Sequence, residues 1–319
     1  MSERPRAVVF AYHTVGARSL EILLRQGVEV SLVVTHADDP AENVWFESVL
    51  ELAQLNDLAV ITPADPNHPE VRAQVAACRP QWLFSFYYRH LLGPALLAIP
   101  ERGALNLHGS LLPKYRGRVP VNWAVLHGES ETGVSLHRMV EKPDAGELLA
   151  QEAVPILPND TAARVFERIV CAGERLLVRH LPDLLAGRLA GRPLDLAAGS
   201  YFGGRRPEDG RIDWQQPAWS VHNLIRAVAP PYPGAFFEHR GKRLAVLGSY
   251  WQGQTARAAG PRLYREQERW YADCVDGRRI LLTRLELDGE PLTAARCQAA
   301  FGETVIHPDI PSSQGVSLT

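Results

Sequence analysis

The chain has 319 residues, of which 46% are hydrophobic and 22% charged, and its formal net charge is −2. That balance fits a globular protein with room for two domains and a sizeable core, and it gives no general electrostatic reason to bind nucleic acid or an anionic membrane. No apolar run is long enough to span a bilayer, so membrane insertion is not expected, and MSERPRAVVF lacks the apolar core of a signal peptide.

In chain order, AVVFAY (7–12), VEVSLVVTH (28–36), LAVITP (58–63) and WLFSFYY (82–88) read as strands buried on both faces. Between them, residues 17–26, 45–55 and 69–78 carry apolar side chains at helical spacing. The alternation predicts an α/β fold with a doubly wound, mostly parallel sheet covered by helices. A strand over 103–110, a short helix over 119–127 and strands over 133–140 and 148–156 follow. Asn159 or Asp160 is placed to cap a helix running to about Leu185. This α/β domain is expected to cover 1–186, followed by a Gly-, Arg- and Pro-rich linker over 187–210. Runs at 237–251, 269–277 and 278–287, punctuated by Gly and Asp, predict a smaller β-barrel-like domain over 211–306. A flexible tail is expected over 307–319.

The cysteines, Cys78, Cys171, Cys274 and Cys297, show no metal-ligand or redox spacing and are expected to be buried free thiols of a cytoplasmic protein. The histidines are scattered, so no metal is expected. The first strand leads into AYHTVGARS without a dinucleotide or P-loop fingerprint, and no G-x-S-x-G elbow marks a serine hydrolase.

What remains is LNLHGSLLPKYRGR (105–118), with Asp144 further on in KPDAGE. On a strand, Asn106 and His108 leave the same face. An N-x-H pair alone is more often structural. Here it ends an apolar strand, and burying such groups unpaired costs about 1–3 kcal/mol each. An amide, an imidazole and a carboxylate are the parts needed to move an acyl group onto an amine. Asn106 supplies an oxyanion donor, His108 a general acid/base, and Asp144 an orienting group.

The stretch from Leu105 to Glu147, with its N-x-H pair, SLLP, RG loop, TG turn and D-x-G, resembles the core of formyltransferases that use 10-formyltetrahydrofolate. The resemblance extends to Asp213-Trp214 and HNLIRAVAPPYPGAFF. Within that superfamily the strings VVFAYHTVG, FSFYYRHL and TGVSLHRMV are most similar to one enzyme half. It is the formyltransferase part of the bifunctional UDP-4-amino-4-deoxy-L-arabinose formyltransferase/UDP-glucuronate decarboxylase of lipid A modification and polymyxin resistance. Methionyl-tRNA formyltransferase is similar over less. Where it has a basic tRNA-contacting loop, this chain has Asp38, Asp39, Glu42 and Glu47 and no Lys or Arg, and from Tyr201 on the chain has fifteen basic and thirteen acidic side chains.

The resemblance implies a folate donor, no metal, and donor contacts from His90, Leu91 and Leu92, from Arg118, and from Val140, Glu141, Lys142 and Pro143 up to Asp144. Ser110 would belong to a rigid wall with Leu111, Leu112 and Pro113. Plain core packing is an equal alternative for Leu91 and for Leu92. A small-molecule nucleotide-sugar acceptor is expected near Tyr12, His13, Thr14 and Arg116, with Arg205, Arg206 and Arg226 from the later part of the chain. Arg205 and Arg206 read equally well as solvated linker charges. The acceptor is expected to be UDP-4-amino-4-deoxy-L-arabinose, with another UDP- or dTDP-linked amino sugar as the alternative. A non-catalytic regulatory homologue ranks last. Without a glycine fingerprint for NAD, the chain is expected to be either a free-standing formyltransferase or an excised domain. A homo-oligomer stays open.

Overall fold

Strand β1 (Arg6–Ala11) is buried on both sides after its first residue, the fate of an unbroken apolar run when helices cover both faces of a parallel sheet. The computed structural model describes residues 4–37 and 43–308. Strands β2 (Glu29–Val34), β3 (Val60–Ile61), β4 (Trp82–Phe86) and β5 (Ala104–His108) run parallel to β1. A two-residue β6 (Arg116–Gly117) lies outside that sheet, and β7 (Glu131–Arg138) and β8 (Leu148–Pro155) extend it antiparallel. The order is β3-β2-β1-β4-β5-β7-β8, so the winding reverses between β1 and β4, where such sheets open a crevice at their carboxyl ends. Helices α1 (His13–Arg25), α2 (Val49–Leu55), α3 (Pro69–Ala77), α4 (Pro94–Leu97), α5 (Pro120–Leu126) and α6 (Ala162–Leu185) make the connections. Val8, Phe10, Val34, Val75, Leu83 and Leu96 pack in one core between sheet and helices.

Two helix starts differ from expectation. α2 opens at Val49, because Ser48 accepts the Glu51 N–H; Trp45 and Phe46 stay outside it. α6 opens at Ala162, capped by Thr161, whose hydroxyl accepts the Arg164 N–H. Asp160 instead accepts the Leu157 N–H at 2.7 Å, and the Asn159 amide pairs with both backbone groups of Trp251 at 2.6 and 3.2 Å.

The segment expected as a linker contains β9 (Tyr201–Phe202), which pairs in parallel with β6. Beyond it, helix α7 (Ala218–Val228) precedes a second, antiparallel sheet. Its strands are β10 (Ala235–His239), β11 (Lys242–Thr255), β12 (Arg262–Glu266), β13 (Arg269–Asp273), β14 (Arg278–Leu287), β15 (Glu290–Pro291) and β16 (Val305–Ile306), with α8 (Ala294–Phe301) between the last two. The order is β10-β11-β14-β13-β12-β16, with β15 on β14. Trp214, Ile225, Phe237, Leu244, Val246 and Ile280 lie in its core. The chain thus divides into two units. One holds the chain up to Pro120, Glu131–Pro155 and Phe166–Gly204; the other holds Val121–Ser130, Ile156–Val165 and the chain from Arg205 on.

All four cysteines are free, but only Cys274 and Cys297 are buried as expected; Cys78 is half-buried and Cys171 is exposed. Among the described residues no helix is long and apolar enough to cross a membrane, and no three His, Cys, Asp or Glu side chains gather as metal ligands do.

Two buried imidazoles make stability pH-dependent. Burial and the Arg89 charge push His13 down to about 3; burial, with Arg226 adding to it, pushes His222 down to about 4. In the unfolded chain both take a proton near pH 6.5. Stability is therefore complete above about pH 6.5 and falls as pH drops toward the folded values, by about 2 kcal/mol per ring at pH 5. Thermal melts at pH 7 and pH 5 are expected to show this, with His13→Phe removing about half of the fall. An equal fall in that variant would place the proton uptake elsewhere.

Candidate active site

Asn106 and His108 are i and i+2 on β5 and share a face. The register of β5 with β7 puts His137 directly opposite Asn106, and opposed residues of an antiparallel pair project to the same side. The loop from Met139 to Glu147 brings Asp144 onto this group. Asp144 Oδ1 lies 3.6 Å from His108 Nδ1, 3.4 Å from His137 Nε2 and 3.4 Å from the Asn106 amide nitrogen, which is itself 3.1 Å from His137 Nε2. The other carboxylate oxygen accepts the Gly117 N–H at 2.8 Å. The structure thus brings the three expected catalytic residues together and sets the His137 ring beside them.

Hydrogen-bond partners decide where the ring protons sit. His108 Nε2 is 2.8 Å from the Tyr115 carbonyl, which only accepts, so Nε2 carries a hydrogen. Nδ1 then faces the carboxylate and is the nitrogen that holds the lone pair in the neutral ring. Burial pushes the Asp144 carboxyl upward. In their protonated forms His108, through its charge, and His137, through its hydrogen bond and charge, outweigh that together with the Gly117 amide and hold it well below the usual carboxylate range. A proton arriving at His108 therefore finds a fixed negative charge beside it.

The loop after β5 is held tightly. Ser110 is fully buried; its hydroxyl donates to the Lys114 carbonyl at 2.7 Å, and its own carbonyl accepts from Ser135 at 2.6 Å. A Cβ at Gly109 would lie 2.1 Å from the Tyr87 hydroxyl, so any larger residue there would have to displace that side chain. Gly117 has φ +97°, and a Cβ there would lie 2.2 Å from the Phe202 carbonyl oxygen; its left-handed backbone aims the N–H at Asp144. Tyr115 and Val119 are also left-handed, at φ +56° and +47°, as is Asp144 at +51°. For a β-branched valine this is strained backbone of the kind that collects at functional sites.

Of the expected donor contacts, Leu91 is 71% exposed and Val140 46% exposed, while the Leu92 side chain is buried in the sheet core. His90 is exposed beside the rings of His36 and Tyr88, and Glu141 and Lys142 are exposed with Pro143 half-buried. Arg118 is exposed, and its N–H donates to the Phe202 carbonyl. Arg116 is buried, and among the described residues its guanidinium has no hydrogen bond or ion pair, with Nε shut from solvent.

The other expected acceptor contacts are more committed. Tyr12 is buried under Arg89, and His13 stacks on Phe46 against Trp45 and Phe166. His13 is uncharged near neutrality, so it brings no cation to a diphosphate. Thr14 Oγ1 accepts the Glu47 N–H. Arg205, Arg206 and Arg226 belong to the second unit. There Arg205 lies over Trp123 and donates to the Asp209 carbonyl at 2.9 Å. Arg206 is exposed, its N–H held by the Asp209 carboxylate. Arg226 is buried, spending its donors on Asn223 and on the carbonyls of Asp160, Leu157 and Val125. Of the acidic loop, Asp38, Asp39 and Glu42 lie outside the described residues, and Glu47 pairs with Arg18 at 2.7 Å.

The formyl transferase family model matches residues 9–181, and the formyl transferase C-terminal domain model matches residues 205–299. Among solved structures, the chain is similar to WlaRD, a sugar 3N-formyl transferase solved in the presence of dTDP and 5-N-formyl-THF. That match has 18% identity and a TM-score of 0.72 over 91% of this chain and 100% of that one. It is also similar to the N-formyltransferase from Helicobacter canadensis in complex with folinic acid and dTDP-3-aminofucose, at 20% identity, TM-score 0.69, and 88% and 99% of the two chains. HypX from Aquifex aeolicus in complex with tetrahydrofolic acid matches at 19% identity and TM-score 0.62, over 94% of this chain and 48% of that one. At these identities the likeness to solved structures is one of fold. With both family models matched in order over most of its length, the chain belongs to the formyl transferase family.

Proposed function

We propose that the protein transfers the formyl group of 10-formyltetrahydrofolate to the amine of a nucleotide-linked amino sugar. The observation that carries this is the Asn106–His108–Asp144 group, with His108 buried and the other two half-buried, which matches the charge changes of formyl transfer one for one. As the amine attacks the formyl carbon, negative charge grows on the formyl oxygen, where the Asn106 amide donates. The amine sheds its proton to His108 Nδ1, beside the Asp144 carboxylate, and the released folate nitrogen takes a proton in turn. Exposed Leu91 and Val140 give an apolar ring system something to cover. The buried, uncommitted Arg116 suits an anionic substrate group such as a diphosphate.

UDP-4-amino-4-deoxy-L-arabinose, and with it a part in lipid A modification and polymyxin resistance, is the first candidate acceptor on sequence resemblance. dTDP-linked 3-amino sugars come second, because two of the similar structures are matched over 99–100% of their length and one holds dTDP-3-aminofucose. Four free thiols suit action in a reducing cytoplasm.

The test is incubation with 10-formyltetrahydrofolate and a panel of UDP- and dTDP-amino sugars, with mass spectrometry of the products. One sugar is expected to gain a formyl group in step with release of tetrahydrofolate. No formylated sugar across the panel, together with tight and strongly salt-dependent binding of charged initiator tRNA, would overturn the assignment.

A further inference from the structure

The two hydrogens of the Asn106 amide have two claimants, His137 Nε2 at 3.1 Å and Asp144 Oδ1 at 3.4 Å. Which way the amide points depends on the His137 ring. Its Nδ1 lies 2.8 Å from the Arg138 carbonyl, an acceptor only, so Nδ1 carries a hydrogen. In the neutral ring Nε2 is then a lone pair, and it accepts from Asn106. Once protonated, Nε2 becomes a donor. It would meet the amide hydrogens head-on and favour Asp144 Oδ1 at 3.4 Å, and the amide would turn its oxygen toward the ring.

We propose that His137 is a positioning residue for Asn106. Its neutral ring holds one amide N–H so that the second, on the longer contact to Asp144, is the one an incoming formyl oxygen takes. This rests on the formyl-transfer assignment. The ring is only 1% exposed, so water does not compete for Nε2. Around it stand Asn106 and His108 from β5, the latter with ring centroids 6.5 Å apart, and Asp144 from the 139–147 loop. The Arg138 side chain reaches Glu147 at 3.4 Å and the Arg102 carbonyl at 3.2 Å. Asp144 does not depend on His137 for its place, since Gly117 and His108 hold it as well. Deleting the ring should therefore loosen Asn106 more than Asp144.

Three variants and one spectrum test this. His137→Ala should lower kcat by about 10- to 100-fold with donor Kd unchanged, the scale of a misplaced catalytic group. His137→Gln offers an oxygen that accepts from Asn106 and cannot take a proton. It should recover kcat to within about threefold of wild type. In an Asn106→Ala background, His137→Ala should cost less than about threefold more, because the ring acts through the missing amide. Nitrogen-15 NMR of the donor-free protein should show His137 protonated at Nδ1 and bare at Nε2 at neutral pH, a result that needs no substrate. Equal losses in the Ala and Gln variants, a full loss in the Asn106→Ala background, or a hydrogen on Nε2 would each overturn the proposal. If the wild type formylates no amine while the spectrum is as expected, the substrate assignment fails and the ring's hold on Asn106 stands.

Discussion

Replacing His108 with alanine should lower kcat by about 100- to 10,000-fold, the range of a lost general acid–base group. Donor affinity should stay within about threefold, since Leu91, Val140 and the other exposed groups proposed to contact the donor are untouched. The reason lies in the division of labour between the ring nitrogens. Nε2 is committed to the Tyr115 carbonyl, and Nδ1 faces a carboxylate that stays ionised. Without the ring, the amine proton has no relay and Asp144 loses a compensating charge. The Tyr115 contact also holds the loop, so a second variant separates the two roles. His108→Gln can still donate to that carbonyl and should be comparably slow. Steady-state kinetics and a donor titration decide it: recovery in His108→Gln would mean that the ring serves the loop and not the proton.

Asn106→Ala should cost about 100- to 1000-fold, again in kcat rather than in substrate affinity, because the amide is asked to act only as charge appears on the formyl oxygen. The change removes no large apolar group, and Asp144 keeps its bond to the Gly117 N–H. A variant that raises KM at unchanged kcat would make Asn106 a ground-state contact instead.

Much of this site was legible in the sequence because it is local. Asn106 and His108 share one strand face, and Asp144 comes later in a fixed motif. His137 was not, although it sits seven residues before Asp144 in the same stretch. Only the register of β5 against β7 brings it opposite Asn106, and a one-residue slip would have turned it to the other face. The same contrast runs through the folds. Strands β1, β2, β4 and β5 announce themselves as buried apolar runs, whereas the run 58–63, expected to be buried on both faces, yields only the two-residue, half-buried edge strand β3. In the second sheet, the hairpins turning at Arg240–Gly241 and Asp288–Gly289 both carry glycine at a left-handed position, but the first falls inside the run 237–251 expected as one strand, which the structure splits into β10 and β11. The β12–β13 hairpin turns on Gln267 and Glu268, at φ +48° and +68°, residue types that advertise no turn, and β12 went unpredicted. Leu91 and Leu92 show the limit for side chains: adjacent and alike in sequence, one is exposed and the other is core.

The two spatial units are not two consecutive stretches of chain. Val121–Ser130 and Ile156–Val165 are cut from the first half yet belong with the chain beyond Arg205, and Arg226 fastens them there through the carbonyls of Val125, Leu157 and Asp160. The two family matches, read as beads on a string, therefore hide a splice. A fusion or swap drawn between 181 and 205 parts Arg226 from the carbonyls it holds, and donor and recipient halves are interchangeable only if those two inserts travel with the C-terminal half.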